Sequence, residues 1–387
     1  MTLIHDADWL KSPAAQTVAK LLEEKGFQAF FVGGSVRNTL LGLPASDLDM
    51  ATDARPEQVL VLTADHGIKA VPTGIDHGTV TVVIHGIPIE VTTFRKDVRT
   101  DGRHAQVVFS KNVLEDAARR DFTMNALYCD ARGLVVDPLG GLADLKTRRV
   151  RFVGTASDRV AEDFLRILRF FRFQAWYGDP EGGIDADALA ACAQGISGLE
   201  LVSAERIGAE IYKLLAAPDP APAVAAMSAC GVLSAILPGA DGTGLARLVH
   251  LEHGLGVDAD AMTRLASLGG EGAQNRLRLS KVQARRLTVL RTAAAGAAAP
   301  AELGYRLGVA EATCALLVRA VWLEQPLPDQ MEIQRGASAD FPIRAADLMP
   351  ELTGPALGKA LTHLECDWIA SDFRLSRTQL LGRAHDL

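Results

Sequence analysis

Two aspartates, Asp47 and Asp49, are the residues of this sequence best placed to do chemistry. They lie two apart in "SDLDMAT", a predicted strand in which alternate side chains project from the same face. Like charges held together are costly unless a cation lies between them, and Mg²⁺ prefers carboxylate and phosphate oxygens. The pair alone is also typical of solvated acids at a strand end. We interpret it as a candidate metal site.

A third carboxylate for this site is expected at Glu90, in the otherwise apolar strand "IPIEVTTF". An acid in such a strand is costly to bury without a partner. The alternative is an edge-strand glutamate that faces water.

A phosphate site is indicated about fifteen residues before the aspartates, where an apolar strand ends in Gly33 and Gly34 and a short helix follows. A helix start presents free backbone N–H groups and the positive end of the helix dipole. Arg37, one turn into the helix, can add a charged hydrogen bond to a phosphate oxygen. A tight turn without a ligand explains the two glycines equally well, and the third glycine of a dinucleotide-binding fold is absent.

Six segments in this order resemble the bacterial tRNA nucleotidyltransferase and poly(A) polymerase family, class II of the CCA-adding enzymes, over about residues 26–175. They are "VGGSVRNTLLG…SDLDMAT", "IEVTTFR", "DGRHAQV", "EDAARRDFTMNALYCD", "VVDPLGGLADLKTRRVRFVG" and "EDFLRILRFFRF". One departure is Asn38, where the family usually has Asp, and we expect it to affect local capping only.

The resemblance implies a role for each matching residue. Gly34 and Arg37 hold a triphosphate with Gly33 beside them, and Asp47 and Asp49 bind two Mg²⁺ ions. The 3′-hydroxyl of an RNA then attacks the α-phosphate of a nucleotide, and pyrophosphate leaves. Arg120 and Asp121 contact the nucleotide, the acid reading the ribose 2′-hydroxyl; read alone, "ARRDFTMNAL" is a helix start with neighbouring ion pairs.

The segment "EDFLRILRFFRF" is predicted to be one helix on which Asp163, Arg166, Arg169 and Arg172 form a polar stripe. The resemblance implies that this helix reads the incoming base; an amphipathic connector is the alternative. Asp accepts and Arg donates hydrogen bonds. Cytosine and adenine each present an amino donor beside a ring-nitrogen acceptor, whereas uracil and guanine present the reverse. One Asp and Arg pair therefore selects C and A together.

Hydrophobic periodicity predicts the elements that position these residues. The first 150 residues or so mix strands and helices into an α/β unit with a small mixed sheet, including two strands joined tightly at His85 and Gly86. Residues 95–109 are predicted to be a mobile surface loop. From about Ser157 the pattern is helical. We expect a catalytic head and palm domain at 1–155, a helical nucleotide- and RNA-binding neck at 156–215, and an all-α body and tail for RNA binding at 216–387.

Composition limits the class of protein. The 387 residues carry a net charge of −7, but residues 95–172 hold 16 basic and 11 acidic side chains, a local excess that favours a phosphate-rich ligand. No apolar run reaches the length of a membrane helix, and the first residues do not resemble a secretion signal. Five scattered cysteines suit reduced thiols. These features predict a cytoplasmic protein that contacts no membrane.

The sequence predicts a template-independent RNA nucleotidyltransferase that adds or repairs the 3′-terminal CCA of tRNA, with CTP, ATP and Mg²⁺. Its partner is the tRNA 3′ end, and no protein partner can be inferred. A poly(A) polymerase shares all the motifs. An inactive RNA-binding relative is disfavoured by the intact Asp47 and Asp49.

The basic segment "NRLRLSKVQARR" (residues 275–286), predicted to be helical, could bind RNA phosphates or be a solvated face.

Overall fold

The structure, a computed structural model, describes residues 2–45, 47–101 and 104–384. The chain divides into two compact units. The first contains Met1–Ala240 and Glu271–Arg278, and the second contains Asp241–Gly270 and Leu279–Leu387.

A mixed β-sheet forms the scaffold of the N-terminal region. Within the described residues the strands are β1 (Ala29–Val32), β2 (Asp49–Thr52), β3 (Lys69–Gly74), β4 (Thr79–Ile84), β5 (Ile87–Thr93), β6 (Arg95–Asp101), β7 (His104–Phe109), β8 (Tyr128–Cys129) and β9 (Val135–Val136). Seven of them form one sheet in the order β3-β4-β5-β2-β1-β8-β9. β2 and β5 run parallel, and the other neighbours run antiparallel.

Six α-helices of the described residues accompany the sheet along the chain. They are α1 (Asp8–Lys11), α2 (Pro13–Glu23), α3 (Gly34–Leu40), α4 (Pro56–Asp65), α5 (Val113–Ala118) and α6 (Gly141–Lys146). Local signals explain several of their limits. Gly26 (φ 82°) reverses the chain after α2, and a proline lies in the first turn of α4. The predicted tight turn between β4 and β5 is confirmed, with positive φ at both His85 and Gly86.

The predicted loop at residues 95–109 is wrong. This segment forms the two-stranded antiparallel sheet of β6 and β7, in which Arg95 pairs with Phe109 and Asp101 with His104. Its polar side chains give no apolar alternation, so the strands are defined by backbone pairing, which composition does not reveal. The tip, Gly102 and Arg103, lies outside the described residues.

The rest of the described chain is helical, which confirms the predicted fold class. The helices are α7 (Ala156–Glu162), α8 (Leu165–Tyr177), α9 (Ala186–Gln194), α10 (Ala204–Leu215), α11 (Ala221–Ala229), α12 (Val232–Ile236), α13 (Leu245–Leu255), α14 (Ala261–Leu268), α15 (Ala273–Arg276), α16 (Lys281–Ala295), α17 (Pro300–Trp322), α18 (Gln330–Ala337), α19 (Gly354–Ala370) and α20 (Arg377–Ala384). None of these helices is both long and apolar enough to span a membrane.

One predicted helix in this region is interrupted. Residues 275–286 span the end of α15 and the start of α16, and between them Arg278 has a positive φ of 48°. A non-glycine residue in the left-handed region cannot continue an α-helix.

Each unit has its own apolar core. In the first, Val32, Ala51 and Phe94 of the sheet region pack with Tyr128 and Val153. This core fixes the ends of β1 and β2, where the candidate catalytic residues begin.

Candidate active site

Three carboxylates lie at one end of the sheet. Asp49 is the first residue of β2, and it is opposite Val32 of β1 on one side and Glu90 of β5 on the other. Asp47 lies two residues before Asp49, outside the strand predicted to contain both. Glu90 is exposed, but β5 lies between β4 and β2, so the alternative of an edge strand is wrong.

The electrostatics of this end of the sheet suit a cation. Burial and the charge of Glu90 raise the pKa of Asp49 to about 6; Asp47 acts in the same direction and Arg120 in the opposite one. In the described part of the chain, no three His, Cys, Asp or Glu side chains form a ready metal site. Asp47, Asp49 and Glu90 are the residues at this end of the sheet whose oxygens could hold a cation.

The glycine turn adjoins these carboxylates. Because Val32 is opposite Asp49, Gly33 and Gly34 leave β1 beside the acids. Gly33 has φ 76° and ψ −126°, a backbone conformation that side chains strongly disfavour, and α3 begins at Gly34. A Cβ at Gly33 would lie 3.9 Å from Nη1 of Arg120. The turn, the carboxylates and a guanidinium therefore share one end of the sheet.

Arg37 is buried among neutral partners. Its side chain donates to Oδ1 of Asn125 (2.5 Å), to the Tyr177 hydroxyl (2.8 Å) and to Oδ1 of Asn38 (2.8 and 3.1 Å). Its guanidinium also lies 4.0 Å from the centroid of the Tyr177 ring. These contacts tie α3 to α8, and a direct bond from Arg37 to a phosphate stays a prediction.

The side chain of Asn38 has a larger role than the predicted local capping, which was wrong. Its Oδ1 accepts the two bonds from Arg37, and its Nδ2 donates to the carbonyl of Pro44 at 2.8 Å. Asn38 therefore orients Arg37 and anchors the segment that leads toward Asp47.

Arg120 is held by a buried acid that the sequence reasoning missed. Asp116 is fully buried and accepts from Nε of Arg119 (2.8 Å), Nη2 of Arg120 (3.0 Å) and the Tyr128 hydroxyl (2.7 Å). Burial alone would raise the pKa of Asp116, but Arg120 and Arg119 outweigh it and lower the pKa to about 2. The spacings of three and four residues from Asp116 to the arginines were a usable signal.

Asp121 is buried and fully engaged. One oxygen accepts from the backbone N–H of Phe122 and from Nδ2 of Asn125, both at 2.9 Å. The other accepts from Nε (2.8 Å) and Nη2 (2.5 Å) of Arg169. Despite burial, Arg169 lowers the pKa of Asp121 to about 2. A carboxylate has roughly four acceptor positions, and the four hydrogen bonds to Asp121 fill them. To accept a hydrogen bond from a ribose hydroxyl, Asp121 would have to give up one of these four bonds.

The predicted single helix at residues 162–173 is wrong, because α7 ends at Glu162 and α8 begins at Leu165. Asp163 between them has extended backbone angles (φ −152°, ψ 105°), and its Oδ1 accepts the backbone N–H of Leu165 at 3.1 Å. A side chain that bonds to the backbone at a helix start favours such a break.

The arginines of the predicted stripe do share one side of α8, and each is half-buried. Arg166 donates to Oε2 of Glu162 (2.5 Å) and to the carbonyl of Arg119 (3.2 Å). Arg172 donates to Oε2 of buried Glu210 on α10 at 2.5 Å. With the Arg169 to Asp121 pair, these contacts join α8 to the Arg119–Asp121 segment and to α10.

Other residues missed from the sequence are Asn125, Tyr128, Tyr177, Arg206 and Glu210. Their partners lie up to 140 residues away along the chain, as for Arg37 and Tyr177. No local spacing could have identified the distant pairs.

Two segments match known domain families. Residues 183–242 match the family described as "Probable RNA and SrmB- binding site of polymerase A", and residues 29–151 match the "Poly A polymerase head domain". The segment that matches the head domain contains the glycine turn, the carboxylates and the Arg119–Asp121 segment. The resemblance predicted from the motifs is confirmed. Nucleotidyltransferases of this kind generally use divalent metal ions.

Similar proteins include a CCA-adding enzyme of Streptococcus pyogenes, 44% identical over 211 residues, which are 54% of this chain and 51% of that protein. The mitochondrial CCA tRNA nucleotidyltransferase 1 of Mus musculus is 41% identical over 201 residues, which are 52% of this chain and 46% of that protein. The chain thus spans about half the length of the curated relatives it matches.

Solved structures extend the likeness over the whole fold. The CCA-adding enzyme of Bacillus stearothermophilus in complex with CTP has a TM-score of 0.72 and 28% identity, with 97% of this chain and 98% of that chain covered. The Thermotoga maritima CCA-adding enzyme complexed with tRNA has a TM-score of 0.70, with 100% and 99% covered. At 18% identity, the second likeness concerns the fold alone.

Proposed function

We propose that this chain is a template-independent RNA nucleotidyltransferase that adds or repairs the 3′-terminal CCA of tRNA from CTP and ATP, with release of pyrophosphate. The observation that carries the proposal is the strand register, in which Val32 and Glu90 flank Asp49. It brings a glycine turn suited to phosphate and a set of repelling carboxylates to the same end of one sheet.

In this proposal Asp47 and Asp49 hold two Mg²⁺ ions, and Glu90 adds negative charge beside them. Bound ions of this kind lower the pKa of the attacking RNA hydroxyl and neutralise charge on the leaving pyrophosphate. The raised pKa of Asp49 supports the assignment, because a cation relieves the repulsion that Glu90 and Asp47 exert on it.

The triphosphate lies against the turn of Gly33 and Gly34. Arg120 supplies the charged donor, since its guanidinium is close to Gly33 and Asp116 fixes its direction. Arg37 contributes positive charge from within the protein, where its hydrogen-bond acceptors are the uncharged oxygens of Asn125, Asn38 and Tyr177. A phosphate is attracted to this charge even without a direct bond, because a buried charge is poorly screened.

Asp163 and Arg166 read the pairing edge of the nucleotide, and Arg169 and Arg172 support them through Asp121 and Glu210. The carboxylate of Asp163 accepts a hydrogen bond from the amino group that cytosine and adenine share, and Arg166 donates to the adjacent ring nitrogen. Uracil or guanine would leave unpaired groups against both side chains, at about 1 to 3 kcal/mol each.

The relatives support the same chemistry. Proteins named as CCA-adding enzymes match about half of this chain at 41% to 44% identity. A structural relative was solved with CTP. The proposed partners are therefore the tRNA 3′ end, CTP and ATP.

The proposed organisation follows the sequence prediction. Residues 1–155 are the catalytic head and palm, 156–215 the neck, and 216–387 the body and tail that bind RNA. All five cysteines are free, which supports a reducing compartment such as the cytoplasm.

Poly(A) addition is the rival activity, favoured by the name of the family that residues 29–151 match. Product analysis separates the two. The purified protein is incubated with tRNA that lacks its last three nucleotides, with CTP, ATP and Mg²⁺, and the products are resolved on a sequencing gel. We expect two C and one A to be added and extension to stop there. A ladder of A residues without C would replace CCA addition by poly(A) addition, and no extension with any nucleotide would support an inactive relative.

A further inference from the structure

Asp163 is held from two directions. Its Oδ1 accepts the backbone N–H of Leu165 at the start of α8, and its Oδ2 accepts Nη2 of Arg206 from α10 at 2.7 Å. The Asp163 and Arg206 side chains are 27% and 30% exposed, so the pair lies at a surface that a ligand can reach. The position of the Asp163 carboxylate thus depends on a residue 43 positions later in the chain.

The acceptor capacity of Asp163 differs from that of Asp121. The two contacts on Asp163 use about half of the roughly four acceptor positions of a carboxylate, whereas Asp121 accepts four bonds. Asp163 can therefore remain bound to Arg206 and still accept a hydrogen bond from a nucleobase.

Asp163 also has a competing partner three residues later in the chain. Arg166 carries the opposite charge, and the two side chains attract each other unless other partners hold them. In the structure each has a different partner: Asp163 is bonded to Arg206, and Arg166 is bonded to Glu162. A direct pair of Asp163 with Arg166 would consume the acceptor and the donor that the proposed base readout needs.

The helix that carries Arg206 is well suited to hold it in place. Along α10, Glu210 lies one turn after Arg206 and accepts from Arg172 at 2.5 Å, with Arg169 at 3.8 Å. Arg206 therefore faces Asp163 at the acidic end of the polar stripe, and Glu210 faces Arg169 and Arg172 at its basic end. This complementarity fixes α10 relative to Asp163.

We infer that Arg206 is a positioning residue for nucleotide selection: it holds the carboxylate of Asp163 away from Arg166, so that acceptor positions of Asp163 stay open to the base. This inference rests on the proposed function. Its consequence is that loss of Arg206 damages the choice between nucleotides more than it damages phosphoryl transfer.

The test compares wild type with Arg206→Ala, Arg206→Lys and Glu205→Gln. Glu205 is the neighbouring residue on α10, and its exposed pair with Arg278 (3.3 Å) does not involve Asp163, so its variant is a matched control. kcat/KM is measured for CTP, UTP, ATP and GTP on tRNA lacking its 3′ end, and thermal melting checks the fold of each variant.

We expect Arg206→Ala to lower the CTP to UTP and ATP to GTP ratios of kcat/KM by about tenfold, equivalent to about 1.4 kcal/mol. Most of the change should lie in KM for CTP and ATP. Arg206→Lys, which keeps one charged donor, should restore much of the discrimination, and Glu205→Gln should leave both ratios unchanged. If Arg206→Ala does not fold, Arg206→Gln replaces it in the same comparison with Arg206→Lys.

Equal losses for all four nucleotides, or unchanged ratios, would overturn the inference. Failure of the proposed function is seen separately, in the wild type alone: an enzyme that uses neither CTP nor ATP refutes that function. A wild type that uses only ATP still tests Arg206 through the ATP to GTP ratio.

Discussion

Replacing Asp116 by asparagine should destabilise the first unit of the fold while leaving its shape intact. The carboxylate is fully buried and accepts from Arg119, Arg120 and Tyr128. Asparagine has nearly the same size, but it has no charge and brings an N–H₂ group into a site already filled with donors.

The magnitude follows from the pKa of Asp116, which is about 2 in the folded chain against an ordinary value of 3.8. At about 1.4 kcal/mol per pKa unit, the ionised form contributes roughly 2 to 3 kcal/mol. Asp116→Asn should cost about that much, and Asp116→Ala, which also leaves the donors without an acceptor, about 3 to 5 kcal/mol. For a unit of this size, 2 kcal/mol corresponds to roughly 4 to 8 °C in Tm.

The pH dependence gives a sharper test. Because the folded pKa is lower than the unfolded one, the stabilisation is present above about pH 4 and is lost as the pH falls toward 2. Calorimetric melting of wild type and Asp116→Asn from pH 7 to pH 3 measures this difference. Asp6→Asn is the control, since its pair with Lys11 is exposed and should be worth little. A difference below about 0.5 kcal/mol at pH 7, or one that stays constant down to pH 3, would refute the reasoning.

Two further predictions concern activity. Asp49→Ala should reduce nucleotide incorporation to less than a tenth of the wild-type turnover without loss of the fold, as measured by single-nucleotide extension in Mg²⁺ and by circular dichroism; higher retained turnover would remove Asp49 from the metal site. Arg166→Ala should weaken the use of CTP and ATP together, because one donor serves both bases. A loss confined to CTP in steady-state kinetics would contradict the shared-edge argument.

The parts of the fold that the sequence predicted correctly depend on local signals. The turn at His85 and Gly86, the end of β1 at the two glycines, and the start of α4 at Pro56 each follow from the conformational preferences of one or two residues. The register also places Glu90 opposite Asp49. Glu90 is exposed, so the expected cost of burying it does not arise, and its part in the site stays a prediction.

The errors arose where long-range contacts override local pattern. Residues 95–109 have the composition of a loop, yet backbone pairing makes them β6 and β7. Asp163 lies on the correct period for α8, but its side chain bonds to the backbone of Leu165 and to Arg206, and the helix breaks there. The phosphate-binding role of Arg37 stays a prediction, and its partner Tyr177, 140 residues later, could not be found from local spacing.

The acids of the first unit separate into two electrostatic kinds, and this separation explains how scaffold and site coexist. Asp116 and Asp121 are buried beside arginines, and their pKa values are lowered to about 2, so their charges stabilise the fold as it stands. Asp49 is half-buried beside Glu90 and Asp47, and its pKa is raised to about 6, so its charge is a cost that the fold itself does not relieve. Stability alone would favour removing such a repulsion, because one of these acids could be replaced without loss of packing. In the proposed function a cation offsets this repulsion when the nucleotide binds beside the Gly33 turn, which is the condition that the proposed phosphoryl transfer requires.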